Sequence, residues 1–159
     1  MKALDLSKYI VSFCNSKGDV ITNKKLQKLL YYTDAWYAVF NNAPLIEEEF
    51  EAWVYGPVVP VVYQYYKCFG SAPIQEVETD IQDLVKELSI KPKIQEIIDA
   101  VLLKYYKMSA FELELLSHNE TPWLTARANI ATHEPSISKI SKTLMQQYYS
   151  NQLKNIANG

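Results

Sequence analysis

Between Thr22 and Phe40 the apolar residues recur with the period of an α-helix, over an arc too wide for a helix at the edge of a fold. At about 100° per residue, Leu26, Leu29, Leu30, Thr33, Tyr37 and Phe40 share one face. Tyr32, Trp36 and Val39 widen that face to roughly half the circumference. A stripe of that width needs neighbours on several sides, so this helix belongs in the middle of the domain. The remaining arc holds Lys24, Gln27, Lys28, Tyr31, Asp34 and Ala35 and is expected to face solvent or a partner. Thr22 is the N-cap. Asn41-Asn42 suits a left-handed helix end, and Pro44 prevents continuation.

Helical spacing continues on both sides. A first helix is expected from about Leu4 to Ser16, closed by Gly18. The strand candidate is Glu48 to Val54, with Phe50, Ala52 and Val54 on one side and Glu49, Glu51 and Trp53 on the other. Gly56-Pro57 should stop it. Pro60 opens a helix over Val61 to Phe69, ended by Gly70. Ser71 to Thr79 reads as a loop, with room for a short strand at Ile74 to Val77. Further helices are expected over Asp80 to Leu88 and along the series Ile94, Ile97, Ile98, Val101, Leu102 and Tyr105. Ser109-Ala110-Phe111-Glu112 is a capping box. Thr121-Pro122 caps and opens a helix carrying Trp123, Arg127 and Ile130, broken by Pro135. A last helix runs from about Lys139 to Asn151, with Ile140, Leu144, Met145 and Tyr148 inward. The expected fold is mainly α: one helical bundle of about six to seven helices with a short β element around residues 48–54. The domain spans 1–151, and 152–159 is a polar C-terminal tail.

At 159 residues, roughly 70 % of the unfolded surface can be buried, so no metal or disulfide is needed to hold a core. Cys14 and Cys68 sit among apolar neighbours without CxxC spacing and read as reduced core residues. No apolar run approaches a membrane span and no signal peptide is evident, so a cytoplasmic protein is expected. The net charge of −2 argues against nucleic acid as partner.

The chemistry of the chain is sparse. His118 and His133 have no metal-ligand spacing, and four scattered glycines exclude the phosphate loops, so no metal and no cofactor is expected. Ser117, His118 and Glu120 are adjacent in sequence, but adjacent helical residues point apart, and triads are assembled in space. Ser117-His118-Asn119 reads as a helix end, where histidine favours the dipole. Glu47, Glu49 and Glu51 alternate onto one strand face and read as a solvated edge. Twelve tyrosines include the pairs Tyr31-Tyr32, Tyr65-Tyr66, Tyr105-Tyr106 and Tyr148-Tyr149. Tyr32, Tyr105 and Tyr148 fall on apolar faces, which leaves Tyr31, Tyr106 and Tyr149 more exposed. Such rings lie over a core edge or anchor a protein interface.

Two segments resemble a known family. The first is Leu26-Gln27-Lys28-Leu29-Leu30-Tyr31-Tyr32 followed by Trp36, Pro44-Leu45 and Ala52-Trp53-Val54-Tyr55-Gly56-Pro57-Val58. The second is Leu113 to Trp123, with Ser117-His118-Asn119-Glu120-Thr121-Pro122-Trp123. Together they resemble the Panacea, or SocA-like antitoxin, family over about Ala3 to Ser150. That resemblance implies a mostly helical antitoxin domain of bacteria and their phages that pairs with a cognate toxin and neutralises it by direct binding. The SocA-type member instead delivers its toxin to a Clp-type protease. Some members carry a DNA-binding segment; this chain starts directly with the domain, so DNA binding of its own is not expected.

A binding module is thus the first expectation, ahead of a hydrolase using His118 with Glu120 or Ser117 and of a transcriptional regulator. The partner site is placed on the outer arc of the second helix, at Lys24, Gln27, Lys28 and Tyr31. Leu26, Leu29, Leu30, Trp53, Tyr55, Gly56, Pro57, His118, Pro122 and Trp123 are signature residues with a mainly structural role. Trp53 is expected to pack over the central helix, and Tyr55 to aim the turn.

Overall fold

The computed structural model describes residues 1–19, 21–75 and 80–159. Its elements are α1 (Ala3–Ser16), α2 (Asn23–Asn41), β1 (Glu51–Trp53), β2 (Gly56–Val58) and α3 (Pro60–Tyr66) with a 3-10 turn at Lys67–Phe69. They continue with α4 (Ile81–Glu87), α5 (Pro92–Tyr105), α6 (Ala110–His118), α7 (Thr121–Ala126) and α8 (Lys142–Asn158). The chain is mainly α, as its periodicity predicts. The caps follow the sequence: Thr22 accepts from the Lys25 amide, Asn42 is left-handed at φ 56°, and Ser109 with Glu112 closes a full capping box. Among the described residues, no helix is long and apolar enough to cross a membrane. The expected strand at Ile74 to Val77 lies partly outside the described residues; within them, the Ile74 amide donates to the Ile21 carbonyl at 2.8 Å.

α2 is the axis of the fold. Fourteen of its 19 residues are buried, and α1, α3, α5, α6, α8 and β2 all pack on it. Its polar arc is buried too, which corrects the expectation that this arc faces outward. Of Lys24, Gln27, Lys28, Tyr31, Asp34 and Ala35, only Lys24 is exposed. The buried polar groups serve the backbone of the segments around them. Asp34 Oδ1 accepts from the amides of Leu45 (2.7 Å) and Ile46 (3.0 Å), while its Oδ2 pairs with Lys142 at 3.2 Å. Gln27 Oε1 accepts from the Val59 amide at 2.9 Å. Phe40, expected in the core, is 57 % exposed in the last turn of α2.

The β element is a hairpin rather than one strand over Glu48 to Val54. Gly56 and Pro57 do not stop it; they form β2, with Trp53 paired to Gly56 across a two-residue turn. Pro57 lies opposite Ala52, whose amide donates away from it to the Ser138 carbonyl at 2.8 Å. That position of the ladder asks no N–H of residue 57, so proline fits. Ile140 donates to Phe50 O at 2.8 Å, so segment 138–140 covers the other edge of β1. Glu51 is therefore not on a solvated row. It is nearly buried, accepting from Lys139 Nζ (2.8 Å) and from the indole N–H of Trp53 (2.7 Å).

Other expectations shift at the C-terminal end. α7 stops at Ala126, before Arg127 and Ile130, and its cap position is Glu120 rather than Thr121. α8 starts at Lys142 and continues to Asn158, past the expected end at 151. Tyr149, not Tyr148, is fully buried, and so is Tyr31; in the pair Tyr65-Tyr66 the exposed ring is Tyr65. Cys14 is buried as expected, but Cys68 is exposed.

Asp34 ties the 45–46 loop and the start of α8 to the central helix. Asp34→Ala removes the acceptor of two buried amides and the partner of Lys142, and should cost about 3–5 kcal/mol. Urea unfolding is expected to show a lower midpoint with an unchanged slope. Asp34→Asn, which keeps one acceptor oxygen, should lose less.

Candidate partner-binding site

The residues of the two signature segments meet around the hairpin. Leu26, Leu29 and Leu30 are fully buried on α2. Gly56 has φ 98°, a region closed to side chains, and a Cβ there would stand 2.5 Å from Lys28 Cε and 2.9 Å from Ser117 Oγ. Lys28 reaches under the turn and donates to the Pro57 carbonyl at 3.0 Å. From the opposite side, the Trp123 indole N–H donates to the Trp53 carbonyl (3.1 Å) and Arg127 Nη1 to the Ala52 carbonyl (2.7 Å). Arg127 Nη2 also donates to the carbonyls of Ala131 (3.0 Å) and Glu134 (2.7 Å), folding the chain after α7 back on itself. Pro122 at the start of α7 is buried. His118 stacks on Trp123, with centroids 4.0 Å apart and planes at 20°. The hairpin is thus held through its own carbonyls by Lys28 of α2, Trp123 of α7 and Arg127 just beyond α7, with Ser117 of α6 close against Gly56.

This clamp fixes what the hairpin presents. Tyr55, at the turn, is 64 % exposed, and Lys24 Nζ lies over its ring at 5.0 Å. Lys24 is also ion-paired with Glu114 of α6. Trp53 packs edge-on against Tyr63 of α3, centroids 4.8 Å apart. Of the four residues nominated from the sequence, Lys24 alone belongs to this surface. Gln27, Lys28 and Tyr31 lie behind it. The sequence signal for Tyr55 was its place between two short apolar segments, legible only once Gly56-Pro57-Val58 is read as a second strand.

Ser117, His118 and Glu120 are not drawn together for catalysis. Ser117 Oγ donates to the Glu114 carbonyl at 2.9 Å. The Glu120 carboxylate turns inward and accepts from Tyr149 OH (2.5 Å) and Tyr32 OH (3.4 Å). Burial, and then the cations Lys28, Arg127 and Lys24, hold His118 below its usual range against the pull of Glu114. Among the described residues no three His, Cys, Asp or Glu side chains cluster as they would to hold a metal ion.

Two buried charges carry the electrostatics of this region. Desolvation pushes Glu120 up to about 7, with its tyrosine partners opposing the shift. Desolvation lowers Lys28 to about 7, opposed by Glu114. Between about pH 4.5 and 7, folded Glu120 holds a proton that the unfolded chain has released, so stability falls as pH rises through that window. Between about pH 7 and 10.5, the unfolded chain holds a proton on Lys28 that the folded chain has released, so stability rises with pH there. Urea titrations at about pH 5, 7 and 9 should show Glu120→Gln removing the first dependence, up to about 3 kcal/mol, and Lys28→Met removing the second. Parent-like pH curves in both variants would place these charges in water.

The chain was compared with known proteins. The family model for the antitoxin SocA-like, Panacea domain matches residues 26–124, which include α2 from Leu26, the whole hairpin, α6 and Trp123. Antitoxin SocA of Caulobacter vibrioides (strain NA1000 / CB15N) is 38% identical over 109 residues. The aligned part is 65% of this chain and 58% of that protein, so the chain spans less than two thirds of the curated relative's length. No solved structure matches. With well over half of its residues inside the family model, the chain belongs to the antitoxin SocA-like, Panacea domain family.

Proposed function

We propose that this protein is an antitoxin that neutralises a cognate toxin by binding it, not by catalysis, in the bacterial cytoplasm. The reading is carried by its membership of the SocA-like family together with one structural observation. The signature residues clamp a hairpin whose exposed tip is an aromatic ring beside a cation. Tyrosine offers a large contact area at low conformational cost, and a pre-ordered turn has little freedom left to lose on binding. Lys24 beside it favours an acidic patch on the toxin. Gln27 and Lys28 contribute from behind, by fixing the backbone of Val59 and Pro57.

Tyr55→Ala should leave thermal stability nearly unchanged, since its side chain is exposed, and Lys24→Gln, which removes the charge without setting a second carboxylate beside Glu114, should cost at most about 1 kcal/mol. Each should weaken toxin binding, Tyr55→Ala by about 2 kcal/mol, or roughly thirtyfold. If both variants bind the toxin and rescue growth like the parent, the hairpin tip is not the contact. Co-expression in a strain without Clp protease separates the two neutralising routes: rescue there means that binding suffices, and its loss means that the protein acts as an adaptor.

A further inference from the structure

An apolar cleft of about 400 Å³ opens between α2, α5 and α8. Its walls are Trp36 and Phe40 of α2, Ile97 and Ala100 of α5, and Leu153 and Ile156 of α8. Phe40 is 57 % exposed and Ile156 65 %, so apolar surface continues over the rim. Along α5 the cleft is bracketed by two exposed charges, Glu96 and Lys104. Lys104 Nζ lies 4.8 Å from the Trp36 ring centroid, whereas Glu96 makes no ion pair among the described residues.

We propose that this face binds a second copy of the chain, with the two α5 helices packed antiparallel about a two-fold axis at Ala100. The spacing carries the inference. Glu96, Ala100 and Lys104 stand four residues apart and form one ridge of the helix. The acid is four residues before the small residue and the base four after it, about 6 Å along the axis each way. Turning the ridge about Ala100 sets Glu96 of each copy beside Lys104 of the other, so the face is complementary to itself, as an isologous interface requires. Ridges of this kind interdigitate at a crossing angle near −50°, and a methyl side chain at the crossing allows close approach. Lys93, seven residues before Ala100, and Lys107, beyond the end of α5 at Tyr105, lie outside this ridge. The two clefts then lie against each other, which gives Phe40 and Ile156 of each copy apolar surface to pack on. Tyr55 and Lys24 are not part of this face, so self-association and toxin binding can be lost separately.

Sedimentation equilibrium of the full chain at roughly 100 µM should show a dimer. Glu96→Lys and Lys104→Glu, each alone, place like charges together at both ends of the ridge and should weaken the dimer at least about tenfold. An equimolar mixture of the two variants should dimerise again, because every contact is then between opposite charges. Ala100→Arg, at an exposed position, should give a monomer even if Lys104→Glu disturbs Trp36. A parent that stays monomeric leaves the cleft to a different chain and overturns the proposal. So does a dimer that survives Ala100→Arg, or a mixture of folded variants that fails to re-form one.

Discussion

Loops can wrap a helix only if their backbone groups find partners once water is excluded, and here the helix supplies them. Asp34 accepts from two amides of the segment after α2, Gln27 accepts from the amide just before α3, and Lys28 donates to a carbonyl of the hairpin. A buried amide without a partner costs about 1–3 kcal/mol, so each of these side chains decides whether a neighbouring segment can close over α2. The polar arc of α2 is the scaffold for everything packed on that side. Its charges are costly to bury, and they are retained inside because each has a fixed counterpart.

A second set of contacts closes the domain from its C-terminal end. Segment 138–140 covers the outer edge of β1, Lys142 pairs with Asp34, and Tyr149 brings its ring against Trp36 with centroids 5.2 Å apart. The Tyr149 and Tyr32 hydroxyls, held far above their usual range by burial, remain donors and meet at the Glu120 carboxyl. Elements from three distant parts of the chain therefore share one buried acid. Lying beyond the residues matched by the family model, α8 is nonetheless part of the same core.

The sequence was most legible where the signal is local. Thr22, Asn42 and the Ser109–Glu112 box act within a few residues of themselves, and the structure shows each in place. The apolar stripe of α2 also identified the central helix correctly. What failed was the inference from polarity to exposure. Gln27, Lys28 and Asp34 are polar on a helical wheel whether they meet water or a loop backbone, and the wheel carries no information on which. The same limit applies to Tyr31 and Tyr149, whose positions depend on α8 and α2 meeting. At the site, the signature residues were legible by resemblance and Lys24 by charge. Tyr55 as the exposed tip was hidden by reading Gly56-Pro57 as a stop.

By itself, then, the sequence determined the class of the fold, the central helix, most helix starts and the family, because periodicity, capping and motif order are properties of neighbouring residues. The tertiary structure alone decided which polar side chains are inside, that β1 has a partner strand on one side and segment 138–140 on the other, and which ring the molecule presents. Each of these depends on whether a distant backbone group supplies a hydrogen bond or a distant side chain excludes water. Ala52 and Pro57 share one ladder position because the Ala52 amide finds its acceptor at Ser138, more than eighty residues further along the chain.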